Sequence, residues 1–340
     1  MFPQTKSINN ILKFLPILGI FLYAYIIWKT GIGEIIKAFN GIKVIYIITV
    51  PFFVLIIILL KGLKWKLILN QYGQKFSYKD ACMTWCIGAF AGGFTPGQAG
   101  EAVKALYVKK ANPDKSFSEC LSTIVSDKII EIYSLMALAI ISALFLLNRL
   151  SENLLYIPVI VIACLILVVF YALTEYKVYI FLGKLFHPIM RFIIPHRYRD
   201  TLKVSLERFL SGIWELKNEK RTLLILWFIA IFTWFILFIN LYLLALSLSL
   251  NISLFYMMLI SPIISFASIL PISIAGLGTR DATAIFFFNE IGLGSESAVA
   301  WSMLNLATGW ILSLIGWIIS LKPSFWMKLS INETNEPSEI

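Results

Sequence analysis

Apolar runs dominate this chain, and polar residues fall between them in short clusters. Six runs approach or exceed the roughly 20 residues that a helix needs to cross a bilayer. They are Ile11–Trp28, Val44–Leu60, a run from near Cys120 to Leu147, Leu154–Leu173, Leu223–Leu246 and Ala298–Leu321. Two further apolar stretches are interrupted. Ala81–Thr95 breaks up at Gly92, Gly93, Pro96, Gly97 and Gly100, and Leu254–Phe288 at Pro271, Gly276 and Gly278. Clusters of Gly and Pro end or kink helices.

Charge separates a broken span from a stretch that enters and returns. The segments richest in Lys and Arg are Lys61–Lys79, Lys104–Lys115 and Lys177–Arg221, joined by Lys6 and Lys13 near the start and Lys322 and Lys328 near the end. Together they hold most of the 29 basic residues. All fall on one side only if both broken stretches turn back. The positive-inside rule then predicts an all-α polytopic membrane protein: about six full transmembrane helices plus two re-entrant helical hairpins, with both termini cytoplasmic. The alternative is two kinked spanning helices.

The predicted order is symmetric. A span, a hairpin entered from inside and a span are followed, in the second half, by a span, a hairpin entered from outside and a span. That is the pattern of inverted repeats, whose interrupted segments meet near the midplane around a substrate site. Irregular backbone at that depth is tolerable only beside protein or a watery cavity. The expected organisation is one integral membrane domain, 1–322, with halves 1–174 and 222–322. A basic cytoplasmic segment, 175–221, joins them, with Leu202, Leu206, Phe209, Leu210, Ile213 and Leu216 at amphipathic helical spacing. A short cytoplasmic tail, 323–340, follows.

Composition agrees. Of 340 residues, 59% are hydrophobic and 14% charged, with a mean hydropathy of +0.84. A soluble domain is nearer half apolar and a quarter charged. These values exclude a soluble enzyme, a nucleic-acid-binding module and a disordered chain. The net charge of +10 therefore reads as topology and anionic headgroups, not nucleic acid. Cys82, Cys86, Cys120 and Cys164 sit in apolar stretches, and His187 and His196 lie far from them. No metal site, cofactor or disulfide framework is expected.

Three constellations carry chemistry. The first runs from Gly92 to Lys104 and includes Thr95, Pro96, Gly97, Gly100 and Glu101. A glycine turn followed by a helix start presents unpaired amides and partial positive charge, suited to an anion. Glu101 either caps those amides or competes with an arriving phosphate, with Lys104 one turn on. The second is Asp127, Lys128 and Glu131 in the third span. The acids share a face and Lys128 can pair with Glu131. Ionisable groups at membrane depth mark a functional site, unless these lie at the cytoplasmic end, in water. The third is Pro271, Gly276, Gly278, Thr279, Arg280 and Asp281, a second glycine-broken tip with Thr279 as an N-cap candidate. The Arg280 fork fits phosphate oxygens, and Asp281 can neutralise it in an empty site.

These three runs, Pro96-Gly97-x-Ala99-Gly100-Glu101, Asp127 to Glu131 and Pro271 to Asp281, resemble the signatures of the lysylphosphatidylglycerol synthase transmembrane-region family. That family is flippase-like and includes archaeal proteins tied to dolichol-linked glycosylation. The resemblance spans nearly the whole chain. It implies handling of lipid-linked headgroups, with Glu101, Lys128 and Arg280 lining the site. Two positions depart from the family pattern, which more often has Glu-Arg with a later Asp in the third span and Glu where Asp281 stands. No soluble aminoacyl-transferase domain accompanies the spans, so synthesis of lysyl-lipid is not expected.

The expectation is a lipid translocase of the cell membrane, moving an anionic phospholipid or polyprenyl-phosphate-linked headgroup. Alternatives are an ion-coupled small-solute transporter and a membrane-embedded enzyme acting on a lipid phosphate. Expected partners are the lipid substrate, bulk membrane lipid, and either a second copy or a glycosylation-pathway protein.

Overall fold

The computed structural model describes residues 19–147, 219–269 and 273–321. The run Leu154–Leu173, residues 175–218 of the basic segment, Pro271 and the tail 323–340 lie outside the described residues. Helices joined by turns make up the described chain, and no strand occurs in it.

Helices α1 (Gly19–Thr30) and α2 (Ile32–Ala38) meet at 81° across Gly31, whose φ of 84° only glycine adopts readily. Next come α3 (Val44–Ile48) and α4 (Val50–Gln71), which together form one apolar span of 28 residues. The first broken stretch is α5 (Tyr78–Gly93), a 3-10 segment (Pro96–Val103) and α6 (Lys104–Ala111), followed by the long α7 (Phe117–Leu147). The second half has α8 (Lys220–Ser247), α9 (Leu254–Ile269), α10 (Thr279–Asn289) and α11 (Ser295–Ser320).

Length sorts these helices. At about 1.5 Å per residue, the candidate spans of 28, 30, 28 and 26 residues exceed a hydrocarbon core of about 30 Å. At 16, 8, 16 and 11 residues, α5, α6, α9 and α10 fall short of it. Each of these helices turns back on its partner. Gly88 lies against the Lys104 stem and Gly92 against Glu101, while the Tyr256 hydroxyl donates to the Phe287 carbonyl across α9 and α10 (2.9 Å).

The two halves run in opposite directions. The Thr222 hydroxyl, at the start of α8, donates to Gln71 at the end of α4 (3.5 Å). Before the start of α3, the Lys43 amide donates to Ser247 at the end of α8 (2.7 Å). Thus α4 and α8 are antiparallel along their lengths. Neighbours exchange accordingly: α5 packs on α4 and α11, whereas α9 packs on α8 and α7. The first hairpin opens at the end that holds Gln71, the second at the end that holds Ser247. This is a pseudo-twofold relation with its axis across the helices, as inverted repeats require.

The chain is a multi-pass, all-α membrane protein. On α4 a stripe through Val54, Ile57, Ile58, Trp65 and Ile68 is buried, while Phe52, Leu55 and Leu59 are exposed and equally apolar. An apolar exterior of that kind suits acyl chains.

Small residues let the hairpins close. A Cβ on Gly100 would stand 2.2 Å from the Ala91 carbonyl oxygen, and one on Gly316 would stand 2.1 Å from that of Cys86. Backbone cannot give way as a side-chain end can. Gly100→Ala is expected to cost about 1–3 kcal/mol. In detergent it should melt several degrees below wild type, whereas Gly33→Ala, with open space around it, should melt near wild type.

Candidate functional site

Both hairpin tips open into one cavity of about 300 Å³. The first contributes Thr95, Gly97, Gln98 and Glu101, the second Ser273, Ala275 and Arg280, and α7 adds Lys128 and Glu131. Each tip carries a non-glycine residue in the left-handed region, Gln98 (φ 58°) and Ala275 (φ 53°), and both line the cavity. Such backbone costs about 1–3 kcal/mol and gathers at functional sites.

The cationic wall is built where α4, the first tip and α7 meet. Lys61 pairs with Glu131. Lys64 lies 2.9 Å from Asp127 and 3.7 Å from Glu131. Lys104 lies 2.8 Å from Glu101 and 3.4 Å from Asp127. Lys128 lies 2.5 Å from Glu101 and 3.8 Å from Glu131, and donates to the Gln98 side-chain oxygen (2.6 Å). Lysine and carboxylate alternate, so each charge is paired, which is the condition for burying such groups in a membrane. Aromatic faces complete the wall: the Lys61 ammonium sits 5.3 Å from the Trp234 ring centre and that of Lys104 sits 5.0 Å from Trp65.

Across the cavity, Arg280 is held differently. Its Nε donates to Ser302 Oγ (2.6 Å) and one terminal nitrogen to the Ala275 carbonyl (3.4 Å). The other terminal nitrogen has no hydrogen-bond partner, and Asp281 stands 3.8 Å from it. One oxygen of Asp281 instead accepts the Gly278 amide (2.8 Å). Gly278 itself has φ 82° and approaches the Gly19 carbonyl so closely that a Cβ would lie at 2.6 Å, which seats the second tip on α1.

Several expectations need correction. The amide of Gly100 is taken by the Thr95 hydroxyl (2.7 Å), and Glu101 is spent on two lysines. It is therefore an ion-pair partner, not a helix cap. At the second tip Gly278 is the N-cap and Thr279 the first helical residue, its hydroxyl 3.0 Å from that of Ser273. The amides of Leu277, Gly278 and Arg280 are all used within that tip. Side-chain cations face the space as well: Lys61, Lys128 and Arg280 line it. Asp127 and Lys64 are buried within protein, so the third-span charges do not sit in bulk water.

Of the residues singled out from the sequence, Thr95, Gly97, Glu101, Lys128, Glu131 and Arg280 line the cavity. Lys104, Asp127 and Asp281 stand behind these as counter-charges. Gly100, Gly276 and Gly278 shape the tips, and Thr279 opens α10. The backbone of Pro96 starts the 3-10 segment.

Sequence reasoning missed Lys61 and Lys64, which it assigned to a cytoplasmic loop beyond Leu60. The helix continues to Gln71. Their signal was periodicity: 61 and 64 continue the buried stripe 54, 57, 58, 65, 68 at helical spacing. Gln98 and Ser302, which act across elements, and Asn305, which lines the cavity, were also missed and carry no comparable signal.

The profile described as the lysylphosphatidylglycerol synthase TM region matches residues 10–318. The chain is 25% identical over 324 residues to a UPF0104 membrane protein of Pyrococcus horikoshii, covering 91% of this chain and 96% of the relative. It is 24% identical over 332 residues to a UPF0104 membrane protein of Methanocaldococcus jannaschii (93% and 95% covered). It is 22% identical over 332 residues to one of Methanothermobacter thermautotrophicus (92% of each). No solved structure matches.

Proposed function

The chain belongs to the lysylphosphatidylglycerol synthase transmembrane-region family, and on that premise we propose that it is a lipid translocase. It carries the anionic headgroup of a phospholipid or a polyprenyl-phosphate-linked lipid across the bilayer. The observation that carries this reading is the placement of cations from both inverted halves, Lys128 and Arg280, on one cavity between the hairpin tips, with one guanidinium nitrogen, buried beside Asp281, left without a hydrogen-bond partner.

The physical need is plain. A phosphate crossing hydrocarbon unaided loses its hydration, at a cost of many kcal/mol. A cavity with fixed cations replaces that hydration, while the apolar chains stay in lipid. Glu101 holds Lys104 and Lys128. An arriving phosphate exchanges with that carboxylate at Lys128 and, as the guanidinium turns from Asp281, takes the unbonded nitrogen of Arg280. Thr95, Gly97, Glu131 and Gln98 border the same space.

Basic residues outside the ion network support an orientation. Lys66, Lys75, Lys79, Lys109, Lys110, Lys115, Lys220 and Arg221 gather at the end where Gln71 meets Thr222 and Lys75 meets Asn112. The opposite end has Lys29, Lys37 and Lys43. By the positive-inside rule the first end is cytoplasmic, in a cell membrane, and so are the termini.

The test is a vesicle assay. Purified protein is reconstituted with fluorescent phosphatidylglycerol, and a membrane-impermeant quencher reports label arriving from the inner leaflet. The expected result is protein-dependent loss of inner-leaflet label within minutes. Quenching identical to protein-free vesicles overturns the proposal, and uptake of a water-soluble anion without lipid movement favours the solute-transporter alternative.

A further inference from the structure

The proposed translocase cavity carries a definite charge, and its uncharged wall has a definite polarity. Among the described residues, the charges lining it are Lys61, Lys128 and Arg280 against Glu101 and Glu131. Behind them, Asp127 stands between Lys64 and Lys104, and Asp281 stands beside Arg280. Summed over the described residues, the site therefore holds one positive charge in excess. Buried charge is least costly when neutralised, so an occupant with one net negative charge completes it. A dianion would leave the occupied cavity with a negative charge in low dielectric, and a neutral lipid would leave the positive charge unmatched.

The rest of the wall is uncharged and largely apolar, and two of its hydroxyls serve as acceptors. Ser268 donates its hydroxyl proton to the Ile264 carbonyl (2.9 Å), and Thr233 donates to that of Ile229 (2.6 Å). With those protons committed to their own helices, both oxygens present lone pairs to the cavity. Asn305 and Ser313 add polar groups, and Trp310 an aromatic face. Acceptors call for donors. Ammonium donors are disfavoured by the excess positive charge, because the lining carboxylates are already bound to lysines. Hydroxyl donors are not. At about 300 Å³ the cavity is at the small end of ligand sites, which suits a phosphate with one small polyol and not an oligosaccharide.

We propose that the cavity selects lipids whose headgroup is a singly charged phosphodiester joined to a small uncharged polyol, such as glycerol or one sugar. It discriminates against phosphomonoesters, diphosphates and headgroups bearing an amine. This rests on the translocase reading and goes beyond it by fixing the headgroup's charge and hydrogen-bonding character.

The test uses the full chain in vesicles with three fluorescent probes of one acyl composition: phosphatidylglycerol, phosphatidic acid and phosphatidylethanolamine. Phosphatidylglycerol is expected to cross at least tenfold faster than either of the others. Glu131→Gln adds one net positive charge and is expected to bring phosphatidic acid within about threefold of phosphatidylglycerol, a change of roughly 0.7 kcal/mol or more in relative preference. Lys61→Gln removes the excess charge and should bring phosphatidylethanolamine level with phosphatidylglycerol. Equal rates for all three probes in wild type overturn the selectivity and leave the translocase standing. Movement of none overturns both. Should either variant fail to fold, the wild-type ratios alone decide.

Discussion

Arg280→Ala is expected to slow phosphatidylglycerol movement in reconstituted vesicles by ten- to a hundredfold while the protein still purifies as wild type does. The magnitude follows from chemistry. A hydrogen bond from a charged donor contributes about 1.5–3 kcal/mol, and each 1.4 kcal/mol is a factor of ten in rate. One guanidinium nitrogen has no hydrogen-bond partner and only Asp281 at 3.8 Å, so its stabilisation of a bound phosphate is not offset by loss of an existing hydrogen bond. Arg280 is also the one cation that the second half contributes to the lining, so its removal leaves the headgroup held from one side. Arg280→Lys should recover only part of the rate, because an ammonium lacks the fork that reaches Ser302 and a phosphate together. Ser302→Ala, which frees the guanidinium to turn, should fall between the two. A wild-type rate in Arg280→Ala would remove this residue from the substrate path.

The architecture was legible because its causes are local. Glycine and proline at Gly92–Gly100 and Gly276–Gly278 break two apolar runs, and the structure returns α5 through α6 and α9 through α10 at those places. The pairing of Glu101 with Lys104 was legible for the same reason, being one helical turn apart. What escaped is what depends on tertiary approach. Nothing in the spacing of Glu101 and Lys128 brings them to 2.5 Å. The tip must fold under α7 first, and Gly92 and Gly100 must permit it.

Lys61 and Lys64 show a different failure. After an apolar run, lysine ordinarily marks the membrane surface, and by that rule both lysines read as cytoplasmic charge. In fact they lie on the buried stripe of a helix that runs on to Gln71. Gly31 shows a further limit: it lies just past the run Ile11–Trp28, and nothing in that run signals the 81° turn into α2.

The same ion network makes the largest stability prediction. Asp127 is fully buried and sits between Lys64 at 2.9 Å and Lys104 at 3.4 Å. Asp127→Asn keeps the shape but leaves Lys64 facing only Glu131 at 3.7 Å, an under-compensated charge in low dielectric. Breaking one side of a buried pair costs about 3–5 kcal/mol, so the variant should melt on the order of 10 °C below wild type in detergent. The cost belongs to the abandoned lysine and not to the lost attraction, and a second substitution separates the two. In Lys64→Met with Asp127→Asn, Lys104 retains Glu101 at 2.8 Å, no ammonium is stranded, and most of the lost stability should return. Were the double variant as unstable as the single one, the network would be stabilising in its own right. Recovery of stability without recovery of lipid movement would mean that these buried ions are retained to keep Glu101 and Lys128 poised at the cavity, at no net gain to the fold.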